Sequence, residues 1–183
     1  VTEGFTAYYD DHLCLRAGVV SSNRYLKILS ENLSSFHRTP GRLLHPLSSS
    51  SFDAWIKLYR PDENSRNSTQ SYYTHGALAA MCFDLRIRAA TDGERSLDDA
   101  VADLYRSTFG QGRGYGDDDV VAALSRAADQ DWAPLKAELV DGPFDPNFEE
   151  FLSPLGLHIT EKASDQAQFG VLFRAGELRL ASV

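Results

Sequence analysis

The stretch "SYYTHGALAAMCFDLRIRAAT", residues 71–91, is the feature that most constrains this chain. It is rich in Ala and Leu, the residues that lose least on entering a helix, and it contains no Pro. The spacing predicts one long helix there, and the segments around it read the same way. Residues 3–17 place Phe5, Tyr8, Tyr9, Leu13 and Leu15 on a helical pattern that stops at Gly18. "SSNRYLKILSENLSSFHR" follows, with a Ser N-cap and Tyr25, Ile28, Leu29, Leu33 and Phe36 at helical spacing until Thr39-Pro40-Gly41. "SSSSFDAWIKLYRP" predicts a loop of serines and a short helix near Phe52–Tyr59, closed by Pro61. "DENSRNST" reads as a polar loop.

Ser96-Leu97-Asp98-Asp99 has the form of a capping box, with Asp99 in the place usually held by Glu, opening a helix to about Phe109. Helices near 117–129 and 132–140 and a last one in "PNFEEFLSPLG" complete the series. Beyond residue 156 the period changes. "LHITEK", "QFGVLFR" and "ELRLASV" alternate and are enriched in β-branched and aromatic residues, so they read as strands. The predicted fold is mainly α, with a few β strands at the C-terminal end. The composition shift divides the chain into 1–156 and 157–183. The strands are too few to close a fold of their own, and both ends of the chain read as cut.

With 43% hydrophobic and 24% charged residues among 183, the chain can bury a sizeable core. Its net charge of −8 argues against nucleic acid or an anionic membrane surface as the main partner. No apolar run approaches the roughly 20 residues that span a bilayer. Cys14 and Cys82 both sit in apolar helical patterns and read as two buried free thiols.

Few residues point to chemistry without context. His12, His37, His45, His75 and His158 form no i,i+3 or i,i+4 pair, and the H-E-x-x-H of helical zinc sites is absent. The glycines of "GQGRGYG" neither follow a strand nor precede Lys-Ser/Thr, so they read as an interhelical turn rather than a phosphate cradle. Asp117, Asp118 and Asp119 read as charge that complements a helix N-terminus. Glu3 and Tyr73, taken alone, read as an acid at a helix start and a packed aromatic.

Three segments change the weight of those two residues. "TEGFTAYYDD", "SFDAWIKLYRPDENSRNSTQSYYTHGAL" and "SLDDAVADLY" resemble the glycyl aminopeptidase family of gluzincin zinc metallopeptidases, in which a helical catalytic subdomain precedes a PDZ domain. The resemblance runs from about Val1 to Leu157, and its long, ungapped middle block makes it specific. It implies that Glu3, within E-G-F-T, is the third zinc ligand, completing a shell whose two histidines lie in an upstream H-E-x-x-H. It implies equally that Tyr73, the Tyr of a Y-x-K-G motif read here as Tyr73-Thr74-His75-Gly76, donates to the oxyanion of the tetrahedral intermediate. The register to Gly76 selects Tyr73 over Tyr72. His75 stands where the family usually has Lys and keeps a basic group there.

The resemblance further implies a helical subdomain of thermolysin-like type over 1–156, followed by the first strands of a PDZ-like domain. The expected function is a zinc-dependent aminopeptidase acting on peptides with small N-terminal residues such as glycine. On this reading the chain by itself is inactive and binds no zinc tightly, and its partner is the upstream catalytic half of the same protein. The competing expectation is a non-catalytic helical binding or scaffold module of a PDZ-containing protein.

Overall fold

The computed structural model describes residues 2–161 and the backbone of two short strands, β1 (Leu172–Phe173) and β2 (Leu180–Ser182), which pair antiparallel. The helices run in the order α1 (Thr2–Arg16), α2 (Ser22–His37), α3 (Leu47–Phe52), α4 (Ser65–Ser68), α5 (Thr74–Ala90) and α6 (Leu97–Ser107). They continue with α7 (Asp117–Ala128), α8 (Ala133–Lys136), a π-helical turn over Ala137–Asp141, and α9 (Phe148–Leu152). The fold is mainly α, as the periodicity predicts.

Helix α5 is the axis of this assembly. Leu78, Ala79, Ala80, Met81, Cys82, Phe83, Asp84 and Ile87 are all buried, so its middle has almost no solvent face. A helix apolar on every side is stable only when other helices surround it. Here α1, α2, α6, α7 and α9 do so. At its N-terminal end an aromatic cluster closes the core. Phe36 has its ring centroid 5.3 Å from Phe144, 5.0 Å from Phe148 and 5.3 Å from His75, each edge-on. Such edge-to-face pairs contribute about 0.5–1.5 kcal/mol beyond the area they bury.

Several local expectations hold in detail. Ser96 Oγ accepts from the Asp98 N–H at 3.2 Å, and Asp99 accepts from the Ser96 N–H at 2.9 Å, which is the capping box of α6. The glycine-rich segment is an interhelical turn: Gly112 takes φ +74°, and the Gly116 N–H donates to Asp119 at 2.9 Å to start α7. Arg113 clamps the same carboxylate at 2.7 and 2.9 Å. Asp119 is held well below the usual carboxylate range, first by Arg113 and then by the Gly116 N–H.

Other expectations shift. The serines of 48–51 belong to helix α3, and residues 53–59 form turns rather than the predicted helix. The "DENSRNST" segment contains the short helix α4. No strand forms over 157–161 of "LHITEK". Alternation there is present, but among the described residues no neighbouring strand accepts its backbone pairs. Cys82 is buried, whereas Cys14 is only half-buried. The short strands β1 and β2 fall within "QFGVLFR" and "ELRLASV", and the rest of the 157–183 unit beyond residue 161 lies outside the described residues.

Candidate active site

The crossing of α1 and α5 builds the site. Gly4 and Gly76 meet with no side chain between them. A Cβ on Gly4 would lie 2.8 Å from the Gly76 carbonyl carbon, and one on Gly76 would lie 3.0 Å from Gly4 Cα. Glycine at both positions permits this contact, and the two helices approach as closely as backbones can. Glu3 precedes one of these glycines and Tyr73 lies three residues before the other, so the crossing brings both to one place. They line the same open hollow, with Thr6, Tyr9, Asp10 and Val101 around them.

Polar ties lock α1 in that position. Tyr8 Oη donates to Asp84 at 2.8 Å, Tyr9 Oη to Asp98 at 2.9 Å, and Arg16 Nη1 to Asp98 at 2.6 Å. Burial, then the charge of Asp84, pushes the Tyr8 hydroxyl far above the ordinary phenol value, so it stays a donor. Asp84 also accepts from Arg88 Nε at 2.8 Å and from the Leu97 N–H at 2.7 Å. This carboxylate is the hub of the scaffold behind the site. Asp84 shows no motif in the sequence, only an acid within an apolar helix.

Glu3 is half-buried at the first turn of α1. Among the described residues its carboxylate enters no hydrogen bond or ion pair, although it faces two hollows. The second hollow, of about 410 Å³, lies on the other side of Glu3, between Phe5, Tyr72, Phe83, Tyr115 and Val120. Among the described residues no three of His, Cys, Asp or Glu come together as a metal-holding group. A lone carboxylate suits one ligand of a larger set.

Tyr73 does not stand alone. Its Oη lies 2.7 Å from Tyr59 Oη, and Tyr72 Oη is 3.3 Å from the same oxygen. The rings of Tyr72 and Tyr73 stack with centroids 4.5 Å apart. The Tyr73 hydroxyl is held above the ordinary phenol value, chiefly by its bond with Tyr59. Tyr59 is held below it by the hydrogen bonds of Tyr72 and Tyr73. Sequence reasoning passed over Tyr59, because it lies in a segment assigned to a short helix. The only available signal was a third tyrosine 13 and 14 residues before the Tyr72-Tyr73 pair.

His75 requires a correction. It is 2% exposed and packs on Phe36, and its Nδ1 lies 2.7 Å from Gln70 Oε1. Burial, then the Arg42 cation, lowers its pKa to about 4, so the ring is neutral near pH 7. It cannot act as the basic group that the Lys comparison suggested. Gln70 in turn donates to the His45 carbonyl, and Ser50 Oγ donates to the Gln70 carbonyl at 2.6 Å. His75 therefore anchors the loop that carries Tyr72 and Tyr73 to the core.

Comparisons with known proteins bear on this arrangement. The family model of M61 glycyl aminopeptidase matches residues 1–79, which contain both Glu3 and Tyr73. The crystal structure of an aminopeptidase N family protein from Idiomarina loihiensis superposes over 97% of this chain, with a TM-score of 0.87 and 30% sequence identity. The chain spans 33% of the length of that protein. No curated protein matches the sequence. No helix among the described residues is long and apolar enough to cross a membrane. Over residues 1–79 the chain is thus similar to the M61 glycyl aminopeptidase family, and it shares its helical architecture with an aminopeptidase N family protein.

Proposed function

We propose that this chain is the helical part of a zinc-dependent aminopeptidase that removes small N-terminal residues, glycine among them, from peptides. The observation that carries the reading is the Gly4–Gly76 contact, which gathers Glu3 and Tyr73 at one hollow. Glu3, unpaired among the described residues and at a helix start, would hold zinc as one carboxylate ligand beside two histidines of an upstream H-E-x-x-H. Zinc, when bound, polarises the scissile carbonyl and lowers the pKa of an attacking water. Tyr73 would donate its hydroxyl proton in a hydrogen bond to the carbonyl oxygen as negative charge develops there. A neutral phenol suits this role, since it stabilises charge that exists only in the transition state.

Residues 1–156 would form the catalytic subdomain and 157–183 the start of a PDZ-like domain. Gly156, at φ +71°, ends the last helical turn at Ser153–Leu155 and supports that boundary. The upstream catalytic half would cover the apolar face at Leu44, Phe52, Trp55 and Ile56. Phe52 and Trp55 are 90% and 78% exposed in this chain.

The decisive experiment uses the full-length protein. Tyr73→Phe should lower kcat by roughly two to three orders of magnitude with KM little changed. Tyr72→Phe is the matched control and should leave the rate nearly intact. Glu3→Gln should weaken zinc retention, since an amide is a poorer ligand than a carboxylate. The chain alone should show no peptidase activity and should lose zinc on dialysis, because one carboxylate cannot replace a three-ligand set. Equal behaviour of the two tyrosine variants, or tight stoichiometric zinc on the chain alone, would overturn the reading. An inactive full-length protein would favour the binding-module alternative.

A further inference from the structure

The hydroxyl of Tyr73 has one proton and, among the described residues, one hydrogen-bond partner. That partner is Tyr59, at 2.7 Å, on the turn segment after α3. Tyr59 is also 3.3 Å from Tyr72, and its ring leans on Trp55 with centroids 5.2 Å apart. Tyr59 is thus fixed on one side by an indole and on the other by two hydroxyls. It remains 48% exposed, so its own proton can turn to solvent while its oxygen accepts from the pair. That resting arrangement agrees with the direction in which the three phenols are displaced: Tyr59 down, Tyr72 and Tyr73 up.

We infer that Tyr59 is a positioning residue for Tyr73, holding its hydroxyl in the resting site and donating to it once the oxyanion forms. The inference rests on the reading of Tyr73 as the oxyanion donor. When Tyr73 turns its proton toward the oxyanion, its oxygen is left with free lone pairs 2.7 Å from Tyr59 Oη. Rotation of the Tyr59 O–H fills one of them. No bond to hydrogen breaks; two hydrogen bonds change direction. A hydroxyl that accepts a hydrogen bond is a stronger donor, because chains of such bonds polarise one another. Tyr59 itself does not need to touch the substrate. Tyr72 shares the resting contact but is farther away and lines the other hollow, so it is not assigned this role.

The test uses Tyr59→Phe in the full-length protein, with Tyr73→Phe and the double variant beside it. Tyr59→Phe should lower kcat about tenfold, the equivalent of one hydrogen bond lost in the transition state, with KM little changed. The double variant should be no slower than Tyr73→Phe alone, since the Tyr59 effect acts only through the Tyr73 hydroxyl. A phosphinic dipeptide, which mimics the tetrahedral oxyanion, should bind about tenfold more weakly to Tyr59→Phe. A ground-state peptide should bind as before. A merely structural role would weaken both ligands or multiply with Tyr73→Phe in the double variant, and either result overturns the inference. If Tyr73→Phe lowers kcat while Tyr59→Phe leaves it unchanged, the inference alone is overturned. If Tyr73→Phe costs nothing, the oxyanion reading and this inference are both overturned.

Discussion

The two ends of the α1–α5 contact use the same chemistry to opposite effect. Toward the C-terminal side, Tyr8 donates to Asp84, whose carboxylate also receives Arg88 and the Leu97 amide. The Asp84 side chain at its centre is 3% exposed, and the Tyr8 hydroxyl, the Leu97 amide and the Arg88 Nε–H all donate to it. At the other end, Tyr59, Tyr72 and Tyr73 share two contacts among three hydroxyls, in either donor direction. The Glu3 carboxylate beside them has no partner among the described residues. A saturated buried network rigidifies, whereas an open set of donors can turn to meet a new charge. The contrast teaches which tyrosines are structural: a phenol with a buried carboxylate is committed, and a phenol with another phenol is not.

The largest effect is expected where the committed end is broken. Asp84→Ala leaves the Tyr8 hydroxyl and the Leu97 amide without an acceptor and the Arg88 cation without its carboxylate. It should destabilise the chain by about 3–5 kcal/mol in urea unfolding. A loss below about 1 kcal/mol would mean that the network relaxes easily and that the two ends do not differ in kind.

Next is the contact that joins them. Gly4→Ala forces a Cβ to within 2.8–2.9 Å of Gly76 backbone atoms, which cannot move aside as a side chain would. Separation of the helices should cost roughly 1–3 kcal/mol. In the full-length protein the same change should lower kcat, because Glu3 moves away from Tyr73. Retained activity together with lost stability would show that the crossing supports the fold without setting the site.

Acid should act on the anchor of the tyrosine loop. The His75 pKa falls from 6.5 unfolded to about 4 folded. Between these values the unfolded chain binds the extra proton, so stability is present at high pH and is lost as pH falls. Between pH 7 and pH 5 the loss from His75 should be about 2 kcal/mol. His12 and His45, lowered chiefly by burial, add to it with the same sign. His75→Asn should flatten this slope in denaturant titrations at the two pH values. An unchanged slope would remove His75 from the argument.

The smallest stability effect belongs to the uncommitted end. Tyr73→Phe removes one half-exposed hydroxyl and should change unfolding free energy by less than about 1 kcal/mol. Tyr8→Phe, which removes one donor from the Asp84 network, should cost more. If the order of those two reversed, the tyrosine cluster would be scaffold.

Much of this was legible in the chain itself. The length and composition of residues 71–91 announced α5, and Ser96 with Asp99 announced the cap of α6, because helix formation and capping depend on neighbours in sequence. E-G-F-T and Y-T-H-G drew attention to Glu3 and Tyr73 through family resemblance. Segment 48–61 departs from its pattern: its aromatic residues suit a helix near 52–59, while helix α3 ends at Phe52 and residues 53–59 fold into turns that leave Trp55 exposed.

Tertiary structure decided the rest. Nothing local distinguishes His75, a neutral core residue, from a basic group beside a substrate, since its pKa depends on Phe36, Gln70 and Arg42 arriving from distant segments. Nor could Asp84 be known as a hub, or Tyr59 as the neighbour of Tyr73, before the helices had packed. Helix identity is written in short-range spacing, so the sequence alone determined a mainly helical chain. The partners of a polar side chain come from residues far along the chain, and only the packed structure decides whether such a group is buried, paired or left free to act.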